Sequence, residues 1–196
     1  MDIVKYDEFC FKLYNVLCNI ESGRATTRYI FLFKNEVILW YDGKVYNTDC
    51  TGLICEVLKE CSVNSVYSNF YADLCTYAYL RDDKYHHDLR VGFPRIYPQY
   101  NPTTVYSEDL YMFCYISNLI IDFKDIHMGD LCLSKRRTKY STGHSFVFWS
   151  KIDDNSFYCI ECSYTNNGIK KVVKQIDNLE NYAFARISLY SKYNTV

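Results

Sequence analysis

Tyr46-Asn-Thr-Asp49-Cys50-Thr51-Gly52-Leu-Ile54-Cys-Glu-Val57-Leu58-Lys-Glu-Cys61 joins a polar turn to a short apolar helix. Polar turn residues give way at Cys50 to a short amphipathic run. Ile54, Val57, Leu58 and Cys61 recur at the i, i+3, i+4, i+7 spacing of one helix face. Asp49 or Thr51 can cap that helix by accepting a free first-turn N–H. Cys50 therefore lies at or beside a helix N-terminus, where the positive end of the macrodipole favours a thiolate. Gly52, one turn in, leaves room for close approach to the backbone. A thiol so placed is a candidate nucleophile. The ordinary alternative is a small buried cysteine that packs.

Composition narrows the classes. At 196 residues the chain is long enough for one domain with a proper core and short for two. A formal charge of −1 gives no global pull toward nucleic acid or anionic membrane. Ten cysteines suggest a disulfide scaffold, yet Asp2, Lys5, Asp7, Glu8 and Lys12 interrupt any secretory apolar segment. The expectation is reduced thiols in a cytosol-like compartment. No window is apolar enough for a membrane span. Abundant Tyr, Phe, Asn, Lys and Ile with few Pro and Gly suit an AT-rich coding sequence, such as that of a large cytoplasmic DNA virus or an intracellular parasite.

Outward from the Cys50 helix, Ile3, Tyr6, Phe9, Cys10, Leu13, Val16, Leu17 and Ile20 predict a first helix over about residues 3–21, ended by Ser22-Gly23. Tyr29 to Trp40 reads as a short hairpin around Lys34-Asn35-Glu36. A helix is predicted from Asn64 to Leu80. Arg81 to Val105 holds all three prolines and reads as a long irregular loop. Ser107 opens another helix running to Ile121. The second half reads as strands: a turn and then a strand within Gly129–Ser134, then Gly143–Trp149, Phe157–Tyr164, Ile169–Val173 and Tyr182–Ser191. Helices first and an antiparallel sheet second make a single α+β domain.

A cysteine nucleophile needs a base, and His suits that task near neutral pH. His86, His87, His127 and His144 are the candidates. On paired antiparallel strands, residues of matching parity share a face. An even-length loop between the strands at His144 and Glu161 puts both on one face with Phe146, Phe148, Phe157 and Cys159. That face is otherwise apolar, so the two polar groups are expected to pair. A carboxylate there would orient the imidazole and stabilise the imidazolium.

Asp49-Cys50-Thr51-Gly52-Leu53-Ile54 resembles the D-C-S/T-G-L-V signature of the NlpC-like cell-wall peptidases, which are papain-like cysteine hydrolases. Gly129-Asp130-Leu131 resembles the family's G-D-L turn, and Gly143-His144-Ser-Phe-Val-Phe148 its G-H-V-G-I-Y strand. Tyr158-Cys-Ile-Glu161, followed by Gly168-Ile169, resembles its I-H-A … G-V hairpin. The four landmarks occur in family order, covering about residues 40–63 and 126–173. The resemblance implies a papain-like, NlpC-like fold in which Cys50 is the nucleophile and His144 the base. It also implies substrate contacts at Asp49, Gly52 and Tyr41, the last as an oxyanion or substrate contact beside the Cys50 N–H. Relatives carry His or an amide where this chain has Glu161. The spacing from Cys50 to His144 is also longer than the compact peptidases need. The excess reads as a lid or recognition insertion over about residues 81–121, which offers a surface to a protein partner.

Two functions stay open. One is a thiol hydrolase acting through Cys50, His144 and Glu161 on an amide, in a peptide or isopeptide, with ester or thioester next. Its partner is then a peptide-like or acylated substrate. The other is a catalytically silent scaffold used for binding or in a virion. No cofactor or metal is expected. Cys159-x-x-Cys162 has zinc spacing, but on a strand its thiols point to opposite faces. His86-His87 reads as a solvated loop pair, and Lys135-Arg136-Arg137 with Lys139 as a solvated turn or a contact for a substrate carboxylate or phosphate. Abundant Tyr without a basic stripe does not support nucleic-acid binding. A cytoplasmic setting, in a host cell or a virion, follows from the thiols.

Overall fold

Asp7 opens the first helix. Its backbone is extended, and its carboxylate accepts the Cys10 N–H at 2.8 Å and the Tyr67 hydroxyl at 2.7 Å. Helix α1 (Glu8–Glu21) thus begins at Glu8, where the Asp7 cap satisfies a first-turn donor, and residues 3–6 of the expected helix lie outside the described residues. The computed structural model describes residues 7–29, 45–89, 105, 107–134, 143–175 and 181–191. The hairpin expected up to Trp40, Tyr41 and the basic loop at Lys135 lie outside these residues.

Strand β1 (Thr26–Tyr29) pairs in parallel with β2 (Val45–Thr48), a pairing the sequence reading does not contain. From β2 the chain passes directly into α2 (Cys50–Lys59), which is buried continuously from Thr51 to Leu58. Leu53, Ile54, Val57 and Leu58 are almost wholly removed from water, and each contributes roughly 1.5–3 kcal/mol of apolar burial. Helix α3 (Val66–Leu89) runs past Leu80 through residues read as a loop. The reason is local: no glycine or proline occurs between Val66 and Leu89, and the first of either is Gly92. His86 and His87 are therefore helical. Helix α4 (Ser107–Ile116) stops short of the predicted Ile121. Asn118 takes a left-handed φ of 55°, and the Leu119 N–H bonds back to Cys114 O at 3.0 Å. The chain then enters β3 (Ile120–Ile121).

The remaining strands are β4 (Leu131–Ser134), β5 (Ser145–Lys151), β6 (Ser156–Ser163), β7 (Gly168–Gln175) and β8 (Tyr182–Ala185). They form an antiparallel six-stranded sheet in the order β3-β8-β4-β5-β6-β7. The last strand ends at Ala185, not Ser191, because both of its neighbours pair no further than that residue, and a 3₁₀ turn (Ile187–Leu189) follows.

Alternation along the strands gives the sheet two apolar faces. Leu131, Leu133, Val147, Ile160, Cys162 and Ile169 face the helices and join the main core with Phe9, Leu13, Leu53, Phe70 and Leu110. Helix α4 belongs to this core through Leu110, Phe113 and Cys114, although it falls within the stretch read as an insertion. Cys132, Phe146, Phe148, Phe157, Cys159 and Phe184 make a second, aromatic cluster on the other face. A β-bulge between Phe148 and Ser150 shifts the β5–β6 register, yet Phe157 still packs on Phe146 and Phe148. The domain is α+β, with four α-helices and one antiparallel sheet of six strands among the described residues.

Candidate active site

The start of α2 brings Cys50 to the sheet. Asp49 is extended, and its carboxylate accepts the Gly52 N–H at 2.7 Å, so Asp49 and not Thr51 is the cap. Gly52 completes that cap and is buried within the helix. Cys50 is the first helical residue and is half-buried. Behind it, the Cys162 thiol donates to Thr48 O at 3.1 Å, tying β6 to the residue before the cap.

His144 lies at the entrance to β5. Gly143 before it takes φ +99°, a conformation that L side chains rarely adopt, and the His144 carbonyl accepts the Ser134 N–H at 2.9 Å. These constraints hold the imidazole at the end of the β4–β5 ladder. Glu161 projects from the middle of β6 onto the aromatic face, as parity predicts. His144 Nε2 and Glu161 Oε2 are 2.8 Å apart.

Glu161 has two further partners that the sequence reading missed. Lys174 Nζ donates to the same Oε2 at 2.8 Å, and Asn166 Nδ2 donates to Oε1 at 2.8 Å. The carboxylate is only 5% exposed and so requires such compensation. Burial would raise its pKa, but the donors and charges of His144 and Lys174 bring it down to about 2. Parity could have pointed to Lys174, which pairs with Phe157 across β6–β7 and so shares its face. Nothing in the local pattern marks Asn166.

Buried hydroxyls form the other side of the Cys50 site. Thr51 Oγ1, Ser107 Oγ and Ser145 Oγ come from α2, α4 and β5. Thr51 is 2.7 Å from Ser107 and 3.1 Å from Ser145, and Ser107 is 3.3 Å from Ser145. Ser107 Oγ is 3.6 Å from Cys50 Sγ. From the sequence Ser107 is expected only at the start of a helix.

The electrostatics single out one thiol. All ten cysteines are unpaired thiols. Burial pushes up Cys10, Cys55, Cys61, Cys75, Cys114, Cys132, Cys159 and Cys162. Burial acts on Cys50 too, and Asp49 adds to it. Hydrogen bonding and charge from His144, helped by Ser107, outweigh both and lower the Cys50 thiol. His144 responds reciprocally: burial disfavours its charge, but Cys50 and Glu161 raise it to about 9. A lowered thiol beside a raised imidazole favours the thiolate–imidazolium pair at neutral pH. With Nε2 held by Glu161, Nδ1 is the ring nitrogen free to serve Cys50.

Of the other predicted residues, Tyr41 lies outside the described residues, as do the side chains of His86 and His87. His127 contributes its backbone N–H to Asp130 at 2.6 Å and does not join the site. Asp130, in the turn before β4, is instead held by Arg186 at 3.0 and 2.8 Å. Cys159 and Cys162 fall in the two different apolar clusters, on opposite faces of the sheet. Among the described residues no three His, Cys, Asp or Glu side chains converge as a metal site requires, and no helix is long and apolar enough to cross a membrane. No family model, curated protein or solved structure matches this chain.

Proposed function

We propose that the chain is a cysteine hydrolase with a papain-like arrangement akin to the NlpC-like peptidases. The observation that carries this reading is the 2.8 Å pair between His144 Nε2 and Glu161 Oε2 beside a Cys50 thiol lowered by that same imidazole. In the reaction, the Cys50 proton passes to His144 Nδ1 and the thiolate attacks a carbonyl carbon. The Cys50 N–H, in the first turn of α2, stabilises the oxyanion. His144 then returns the proton to the leaving group, and a thioester remains on Sγ. Water, deprotonated by His144, attacks the thioester and releases the acid, restoring the thiol. Glu161 orients the ring and balances its charge throughout. Amides of peptides or isopeptides are the proposed substrates, with esters and thioesters next. The mechanism needs a reduced thiol, which suits a cytoplasmic setting.

The test is the pH dependence of Cys50 alkylation by iodoacetamide in the wild type and in His144→Ala. Rapid labelling below pH 7 that slows at least tenfold in the variant supports the hydrolase. Labelling that follows an ordinary thiol near pKa about 8.5 and ignores the substitution overturns it in favour of a silent binding scaffold.

A further inference from the structure

We propose that the Lys174 ammonium, by sharing Glu161 Oε2 with His144, keeps the carboxylate compensated when the imidazole is neutral and thereby tunes how readily His144 gives up its proton. The geometry carries this. Glu161 is 5% exposed, and a carboxylate at that depth is costly without a counter-charge. If His144 were its one cation, each deprotonation of the ring would strand a buried anion, and the proton would be held too tightly for transfer. Lys174 supplies a second cation that does not come and go. It stands opposite Phe157 on β7, its ammonium lies 5.3 Å over the Phe146 ring, and its Nζ is 2.8 Å from Oε2. Asn166, on the other carboxylate oxygen, is neutral and cannot take that part.

The ionisable groups facing this network come from every neighbouring element. Cys50 and Asp49 lie on the α2 side, Cys132 on β4, Glu161 and Cys159 on β6, Lys170 and Lys174 on β7, and Tyr182 on β8. Among these described groups, Lys174 is the permanent cation that touches the carboxylate. Two cationic donors on one oxygen also repel each other, which pushes His144 in the same direction. Lys174 is a positioning residue, acting through Glu161 on His144.

The test is the ring titration of His144, followed by NMR in the full chain with Lys174→Met, Lys174→Gln and Lys174→Arg. The expected result is a His144 pKa raised by about one unit in Met and Gln, and nearly unchanged in Arg. Gln keeps a hydrogen-bond donor, so it carries the test should Met fail to fold. A His144 titration unmoved or lowered in Gln overturns the proposal, as does a rise in Met that Gln does not share, which would make the hydrogen bond and not the charge responsible. The proton-transfer role rests on the hydrolase reading, but the titration needs no substrate. A shifted His144 beside a Cys50 that alkylates as an ordinary thiol would remove the hydrolase and leave the Lys174 effect standing.

Discussion

Ser107 Oγ lies 3.6 Å from Cys50 Sγ, although 57 positions separate the two residues in the chain. Helix α4 brings the hydroxyl there by burying Leu110, Phe113 and Cys114 in the main core. Ser107 also touches Thr51 and Ser145, and each of these hydroxyls can rotate to donate or accept. When Cys50 is a thiolate, the Ser107 hydroxyl can turn its hydrogen toward the sulfur. When Cys50 is a thiol, it can turn back to the other oxygens.

Ser107→Ala removes that donor. Its loss should raise the Cys50 thiol by about 0.5–1 unit, read as a displacement of the alkylation-rate profile toward higher pH. Thr51 and Ser145 still have each other, so the stability cost should stay at about 1 kcal/mol. An alkylation profile that does not move would show that the hydroxyl packs beside the sulfur without stabilising its charge.

Stability should depend on pH in a way that separates the three charged groups. Glu161 has a folded value near 2 against an ordinary 4.5, so its contribution is present above pH 4.5 and lost as pH falls toward 2. His144, raised from 6.5 to about 9, contributes fully below pH 6.5 and loses that contribution as pH rises through 9. Cys50, lowered from 9.0, has the opposite sign: its contribution is present above 9 and is lost as pH falls. In the thiolate–imidazolium pair the proton kept by His144 is the one given up by Cys50, so the two effects oppose each other as pH changes. Urea midpoints should therefore fall steeply below pH 4.5, where the Glu161 contribution is lost. Glu161→Gln should flatten the acid limb. A wild-type acid limb no steeper than that of the variant would contradict the pairing.

Gly168→Ala tests the tie between the two sheets. Gly168 has φ +138°, and a Cβ there would run into Thr27 Oγ1, which accepts the Ile169 N–H at 2.7 Å. The backbone strain and the clash together should cost about 3 kcal/mol in equilibrium denaturation. Combining it with Thr27→Ala should recover the part of the clash that comes from the Thr27 side chain, at the cost of the Ile169 N–H bond, and leave the backbone part. A neutral Gly168→Ala would mean that β1 does not press on β7.

The sequence alone determined what depends on near neighbours. The apolar spacing from Ile54 to Cys61 marked α2, and Asp49 stood among its two candidate caps. The period of two along the strands puts His144 and Glu161 on one face, because side-chain direction in a strand repeats within a few residues. Local signals also misled where a neighbour overrode them. The stretch from Arg81 to Leu89 reads as loop because of the prolines beyond it, yet it continues the helix that starts at Val66. Lys174 and Asn166 close around Glu161, and Ser107 reaches Cys50, through long-range packing. Lys174 shares the face of Glu161, but its reach along the sheet depends on the β6–β7 register. Ser107 depends on how α4 docks to bury its apolar residues. Such contacts are set by the packing of distant segments, which no periodicity within a segment encodes.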